Sequence, residues 1–198
     1  MTSRLRIGLL GGSFNPAHEG HLHISREALK QLKLDQVWWL VSPQNPLKSR
    51  TDMSSYEVRL ASARSMTRND PHITVSDFEQ KHGLQYTYAT LAALKKHYPG
   101  TKFVWIMGAD NLASFHRWQR WRSIIEMMPI VIFDRAPFSH IALRSKAALA
   151  MQRLRLPGRG ISAIADKAGH WAYMYILARR HPASSTAIRA RRKAKTTS

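Results

Sequence analysis

Over the first 133 residues, short apolar runs alternate with amphipathic stretches, and this most constrains the fold. The apolar runs span residues 6–10, 36–42, 73–78, 102–107 and 129–133. Each is too short for a helix and is bounded by Gly, Pro or polar residues, so each predicts a buried strand. Between them, residues 21–33, 54–68, 87–98 and 111–128 predict helices. In the first, Leu22, Ala28, Leu29 and Leu32 share one helical face. In the second, Ser54 and Glu57 stand at capping-box spacing. Strand–helix alternation of this kind predicts an α/β protein with a Rossmann-like, doubly wound parallel sheet and helices on both faces. Ligands bind such sheets beyond the carboxyl ends of the strands. That directs attention to residues 11–21, 42–48 and 108–118.

Beyond residue 134 the pattern weakens. Residues 141–155 predict a basic amphipathic helix, 158–170 are rich in Gly and Ala, and 171–177 predict a strand. The expected organisation is a single domain over 1–189, poorly patterned over 136–169. A basic tail over 190–198 is expected to be disordered, because it lacks apolar periodicity. The 198 residues carry 31 Lys and Arg against 12 Asp and Glu, a formal charge of +19. The excess is concentrated late, since residues 134–198 hold 14 basic side chains and two acids, Asp134 and Asp166. Such a balance favours anionic partners without choosing among nucleotides, RNA or an acidic surface. No apolar run approaches the ~20 residues of a membrane helix. With no Cys, disulfides and Cys-ligated metal sites are excluded, and a cytoplasmic location is expected.

The chemistry concentrates in Gly11-Gly12-Ser13-Phe14-Asn15-Pro16-Ala17-His18-Glu19-Gly20-His21, which leaves a strand and enters a helix. Glycines there admit a ligand close to the backbone, and free N–H groups at the helix start favour an anion. His18 and His21, three apart, face one point at that helix end, and a bound polyanion favours the protonated imidazole. A zinc reading that adds His23 lacks a well-placed carboxylate, and neither a GxGxxG nor a GK[ST] motif occurs.

Taken whole, this segment closely resembles the HxGH signature of the nucleotidyltransferase superfamily, and Ser184-Ser185-Thr186-Ala187-Ile188-Arg189 resembles that superfamily's SSTxIR signature. Pro43-Gln44-Asn45-Pro46-Leu47-Lys48, Tyr86-Thr87 with Thr90-Leu91, and Gly108-Ala109-Asp110-Asn111-Leu112 running on to Phe115, Trp118 and Trp121 are similar to the bacterial nicotinate mononucleotide adenylyltransferases. The resemblance implies adenylyl transfer from ATP, with Mg²⁺ bound through the ATP phosphates, to nicotinate mononucleotide. It implies His18, His21 and Lys48 as catalytic groups. It assigns Gly11, Ser13, Phe14, His18, His21, Gly108, Asp110, Ser184, Ser185, Thr186 and Arg189 to ATP, and Lys48, Thr87 and Trp118 to the acceptor. No metal-ligating residue is expected. Pattern alone fits Trp118 as core, Asp110 as a helix cap, and Lys48 and Arg189 as surface charges. The chain departs from the family at Ala89, where an acid is usual, and after Arg189, where a basic tail replaces the usual helical terminus. Adenylylation of another phosphate, such as nicotinamide mononucleotide or phosphopantetheine, and a basic RNA-binding protein are the alternatives.

Overall fold

The computed structural model describes residues 5–43, 53–134, 139–154, 173–176, 183 and 185–196. Among them, six strands form one sheet: β1 (Arg6–Gly12), β2 (Gln36–Val41), β3 (Ile73–Ser76), β4 (Lys102–Gly108), β5 (Ile130–Phe133) and β6 (Tyr173–Ile176). All pairings are parallel, in the order β3-β2-β1-β4-β5-β6. The expected doubly wound sheet is therefore present, and the order reverses direction between β1 and β4.

The buried strands sort by alternation onto two faces. Ile7, Leu9, Phe103, Trp105, Ile130 and Ile132 share one face. There they meet Leu91 and Leu94 of α4 (Thr87–His97), Leu112 of α5 (Ala109–Ser114), and Ile124 and Ile125 of α6 (Trp121–Met127). Leu10, Val37, Trp39, Val104, Ile106 and Val131 line the other face. Those pack with Leu22, Ala28 and Leu32 of α1 (Glu19–Leu32) and Ala63 of α2 (Tyr56–Thr67). Each Leu, Ile or Val so buried contributes about 1.5–3 kcal/mol over its exposed state. Helices thus cover both faces. No helix among the described residues is long and apolar enough to cross a membrane.

Several local expectations change. The helix after the first strand begins at Glu19 rather than at residue 21, because His18 caps it. The second helix is capped by Ser55, whose Oγ accepts from Val58 N at 3.4 Å, not by Ser54. Ser54 is engaged elsewhere: its N–H donates to Asn15 Oδ1 and its carbonyl accepts from Arg59 Nε. The expected helix over 111–128 is interrupted, since Trp118 is extended and Arg120 is left-handed at φ 51°. The expected helix over 141–155 is two short ones, α7 (Ser139–Leu143) and α8 (Lys146–Ala150). Ser145 separates them. Its Oγ accepts from Ala148 N at 3.2 Å and donates to Leu112 O at 3.3 Å, which starts a new helix and anchors it to α5.

The largest correction concerns the basic tail, expected to be disordered from residue 190. A helix, α9 (Ser185–Thr196), runs through most of it. Ala, Arg and Lys are strong helix formers, so the run propagates once Ser185 and Arg189 fix its start to the body of the domain.

The face carrying α1 also holds a buried polar relay. Trp39 Nε1 donates to Ser25 Oγ at 2.8 Å, and Ser25 Oγ donates to the His21 carbonyl at 2.9 Å. Ser25→Ala leaves the buried indole N–H without an acceptor, at about 1–3 kcal/mol. We expect the unfolding free energy to fall by that amount, read as a lower urea midpoint at an unchanged m-value; an unchanged midpoint would show that the relay adds nothing.

Candidate functional site

The site assembles where the exits of β1, β2 and β4 part. Gly11 and Gly12 end β1 and face opposite ways. A Cβ on Gly11 would sit 2.4 Å from the Trp105 ring, and one on Gly12 would sit 3.3 Å from Phe14. Gly11 therefore lets the indole of β4 lie directly under the strand exit. Phe14 follows in the left-handed region, at φ 46°, with its ring stacked on Trp39 at 4.9 Å and 4.7 Å from the His21 ring. This uncommon backbone for a non-glycine is stabilised by full burial of the ring.

His18 and His21 form the cap of α1 together. His18 Nδ1 accepts from Gly20 N at 3.1 Å, and His21 Nδ1 accepts from His18 N at 3.2 Å. The rings lie 3.9 Å apart. With both Nδ1 atoms accepting, each neutral imidazole carries its proton on Nε2. Space at Gly20 is tight. A Cβ there would lie 2.9 Å from the His18 ring and 3.0 Å from the Ala183 carbonyl, where the C-terminal segment crosses the loop.

That segment docks through backbone oxygens. Ser185 Oγ donates to Pro16 O at 3.0 Å, and Arg189 Nη1 donates to Asn15 O at 2.8 Å. Ser185 and Arg189, which the resemblance assigns to phosphates, thus donate to carbonyls of the HxGH loop. Thr186 beside them is exposed. Lys48 and Ser184 lie outside the described residues.

On the other side of β1 opens a cavity of about 370 Å³. Four of the residues picked from the sequence line it: Gly11, Ser13, Thr87 and Trp118. Trp118 meets Phe115 edge-on at 5.3 Å and Trp105 at 6.3 Å. The break at Trp118 that splits the expected helix leaves this indole on the wall instead of wholly in the core. Thr87 is the first residue of α4, next to that helix's free N–H groups. Gly108 and Asp110 stand at the β4 exit and the first turn of α5, outside the cavity lining. His18, His21 and Phe14 likewise lie across the β1 exit from it.

The lining residues not singled out from the sequence include Trp105, Arg117 and Glu79. Trp105 reads as an ordinary core aromatic of an apolar strand. Arg117 reads as one more surface cation. Glu79 sits in an irregular stretch, here the short α3 (Phe78–Lys81), with no motif to mark it. It is only 7% exposed, and Thr90 Oγ1 donates to its Oε1 at 3.0 Å. Burial pushes its carboxyl up to about 7, against the opposing pull of the Thr90 and Ser42 hydroxyls. Among the described residues, no three His, Asp or Glu side chains converge to hold a metal ion.

With this geometry described, the comparisons with known proteins are informative. The cytidylyltransferase-like family model matches residues 9–191. A protein of Parvibaculum lavamentivorans named probable nicotinate-nucleotide adenylyltransferase is 54% identical over 156 residues, covering 79% of this chain and 77% of that protein. One of the same name from Methylorubrum extorquens is 45% identical over 188 residues, covering 94% of this chain and all of that protein. Among solved structures, Plasmodium falciparum nicotinic acid mononucleotide adenylyltransferase complexed with NaAD superposes with a TM-score of 0.66 at 18% identity. That match covers 92% of this chain and 82% of the other, and it shows the shared fold.

Glu79 yields a pH-dependent expectation. The unfolded carboxyl ionises near 4.5, whereas the folded one stays protonated until about 7. The folded state therefore binds the extra proton between these values, and stability falls as pH rises through that window. The penalty is complete above pH 7, on the order of 3 kcal/mol. Glu79→Gln removes the ionisation. Relative to wild type, the variant should gain melting temperature at pH 8 and lose that gain at pH 4; an equal difference at both pH values would contradict the assignment.

Proposed function

The chain belongs to the cytidylyltransferase-like family, and from that membership we propose how this site transfers the adenylyl group of ATP to nicotinate mononucleotide. The products are nicotinate adenine dinucleotide and pyrophosphate, a step of NAD biosynthesis. A phosphate oxygen of the mononucleotide attacks the α-phosphorus, and the bond to the pyrophosphate oxygen breaks in line with it. The second pKa of a phosphomonoester is near ~6, so the nucleophile is already ionised at neutral pH. No side chain need remove a proton. The protein's task is alignment and the neutralisation of phosphate charge.

The donor set suits that task. In this reading, the Nε2–H groups of His18 and His21 donate to the ATP phosphates. Gly11, Ser13 and Phe14 shape the crossing between the two nucleotides, and Lys48 bridges the reacting phosphates. Gly108 and Asp110 hold the adenosine. Ser184, Ser185, Thr186 and Arg189 serve the β- and γ-phosphates at the start of α9. The bonds from Ser185 to Pro16 and from Arg189 to Asn15 support this grouping, because they bring the two signatures together. Mg²⁺ bound through the ATP phosphates would supply neutralisation of charge on the leaving pyrophosphate. A cytoplasmic setting, where both substrates are made, belongs to the same reading.

On the acceptor side, Trp118 stacks on the pyridine ring, and Thr87 with the N–H groups of α4 receives its carboxylate. The observation that carries this assignment is one cavity holding an aromatic wall, a helix start and the Arg117 cation, beside the paired-histidine cap. Purified protein with ATP, Mg²⁺ and nicotinate mononucleotide should release pyrophosphate. No release, or faster release with phosphopantetheine, would refute the acceptor assignment.

Two expectations follow from these roles. His21→Ala should remain folded, losing about 1 kcal/mol with its cap bond, while turnover falls ~10²-fold or more, as for other lost oxyanion donors. Steady-state rates on protein shown folded by circular dichroism check this, and near-normal turnover would remove His21 from the mechanism. Nicotinate mononucleotide should be used at least ~10-fold better than nicotinamide mononucleotide, because an amide leaves a donor unpaired at about 1–3 kcal/mol. Equal kcat/KM for the two acceptors would refute the carboxylate contact.

A further inference from the structure

A buried cation outside the predicted site holds its loops together. Arg59 lies on α2 and is 2% exposed. Its guanidinium makes no ion pair among the described residues and donates instead to four backbone carbonyls. Nε donates to Ser54 O at 3.1 Å, Nη1 to both Ser13 O and Ser42 O at 2.7 Å, and Nη2 to Pro43 O at 2.8 Å. The Tyr56 ring covers it at 5.4 Å. Ser13 is the first residue beyond β1, and Ser42 the first beyond β2. One nitrogen therefore pins two adjacent strand exits, and the β1 and β2 ladders end between them at the bond from Ser42 N to Gly12 O.

We propose that Arg59 is a positioning residue for adenylyl transfer, fixing the distance between the backbone leaving β1 at Ser13 and the backbone leaving β2 at Ser42 and Pro43. The proposal rests on the reading of the site given above. Ser13 leads directly into Phe14 and His18, and Pro43 leads directly into the segment ending at Lys48. Both carbonyls on Nη1 belong to residues that line the cavity. The fork is rigid and planar, so the two loops cannot separate without breaking short, charge-assisted bonds. A buried cation facing only neutral carbonyls is costly to desolvate, and packing alone could be served by an apolar side chain. What the guanidinium adds is a fixed spacing between two backbones, in a reaction where a 1 Å displacement costs about 10²-fold.

Arg59→Lys is the first test, because a compact ammonium has three donors and cannot span four carbonyls. The variant is assayed at a temperature where near-UV circular dichroism shows it folded. We expect kcat to fall by about 10- to 100-fold while KM for ATP and for nicotinate mononucleotide changes little. Hydrogen exchange should quicken at the amides of residues 12–17 and of Ser42. Arg59→Ala gives a second measurement, in which millimolar methylguanidinium should restore turnover. Folded R59K with wild-type kcat would overturn the proposal. So would methylguanidinium that restores the melting temperature of R59A without restoring turnover, since that is the signature of a purely structural bond set. Wild-type protein that releases no pyrophosphate would instead strike the adenylyl-transfer reading on which the proposal rests.

Discussion

Reversal of strand order between β1 and β4 is the constraint on which this molecule depends. The chain leaving β1 enters α1 on one face of the sheet, and the chain leaving β4 enters α5 on the other. Their loops diverge, and a crevice opens above two hydrogen-bonded strands that are themselves rigid. Gly11 makes the crevice usable, because its missing side chain lets Trp105 form the floor. The cavity then falls on one side of β1 and the paired histidines on the other. A reaction that joins two nucleotides needs two such half-sites meeting at a strand exit.

Around this crevice the buried polar groups each solve a local problem with a consequence for the site. The N-terminus of α1 must satisfy its free N–H groups, and two imidazoles do so through Nδ1. The C-terminal helix must be held, and Ser185 and Arg189 hold it by the carbonyls of the loop bearing those imidazoles. Ser54 and Pro43 present carbonyls away from any ladder, and Arg59 gathers them. Thr90 satisfies one oxygen of Glu79 and thereby ties α3 to α4, whose first residue lines the cavity. Fold and site are thus maintained by the same hydrogen bonds.

Legibility in the sequence varied with the range of the interaction. The strands were plain because each is a short apolar run between turn residues, and His18, His21, Thr87 and Trp118 were plain because they sit in motifs. Glu79, Trp105, Arg117 and Arg59 were not. Arg59 reads as a solvated charge on an amphipathic helix, and only the convergence of Ser13, Ser42, Pro43 and Ser54 turns it into a buried clamp. Glu79 reads as a loop acid, and only burial beside Thr90 raises its affinity for a proton. The break at Trp118 was equally hidden, because residues 111–128 satisfy helical periodicity on both sides of it.

Local chemistry along the chain was enough to determine the strand–helix alternation, hence the parallel sheet, and the residue types at the β1 exit, hence a tight turn into a helix. Those properties depend on neighbours within a few positions, where steric preference and periodicity act directly. The tertiary structure alone decided which polar groups lose water and which carbonyls meet which donors. It decided that Ser55 rather than Ser54 caps α2, that Ser145 starts a new helix against Leu112, and that the basic run after Arg189 is helical through Thr196. In each case contacts far apart in sequence tip a near-even local choice by about 1 kcal/mol, which no local pattern encodes.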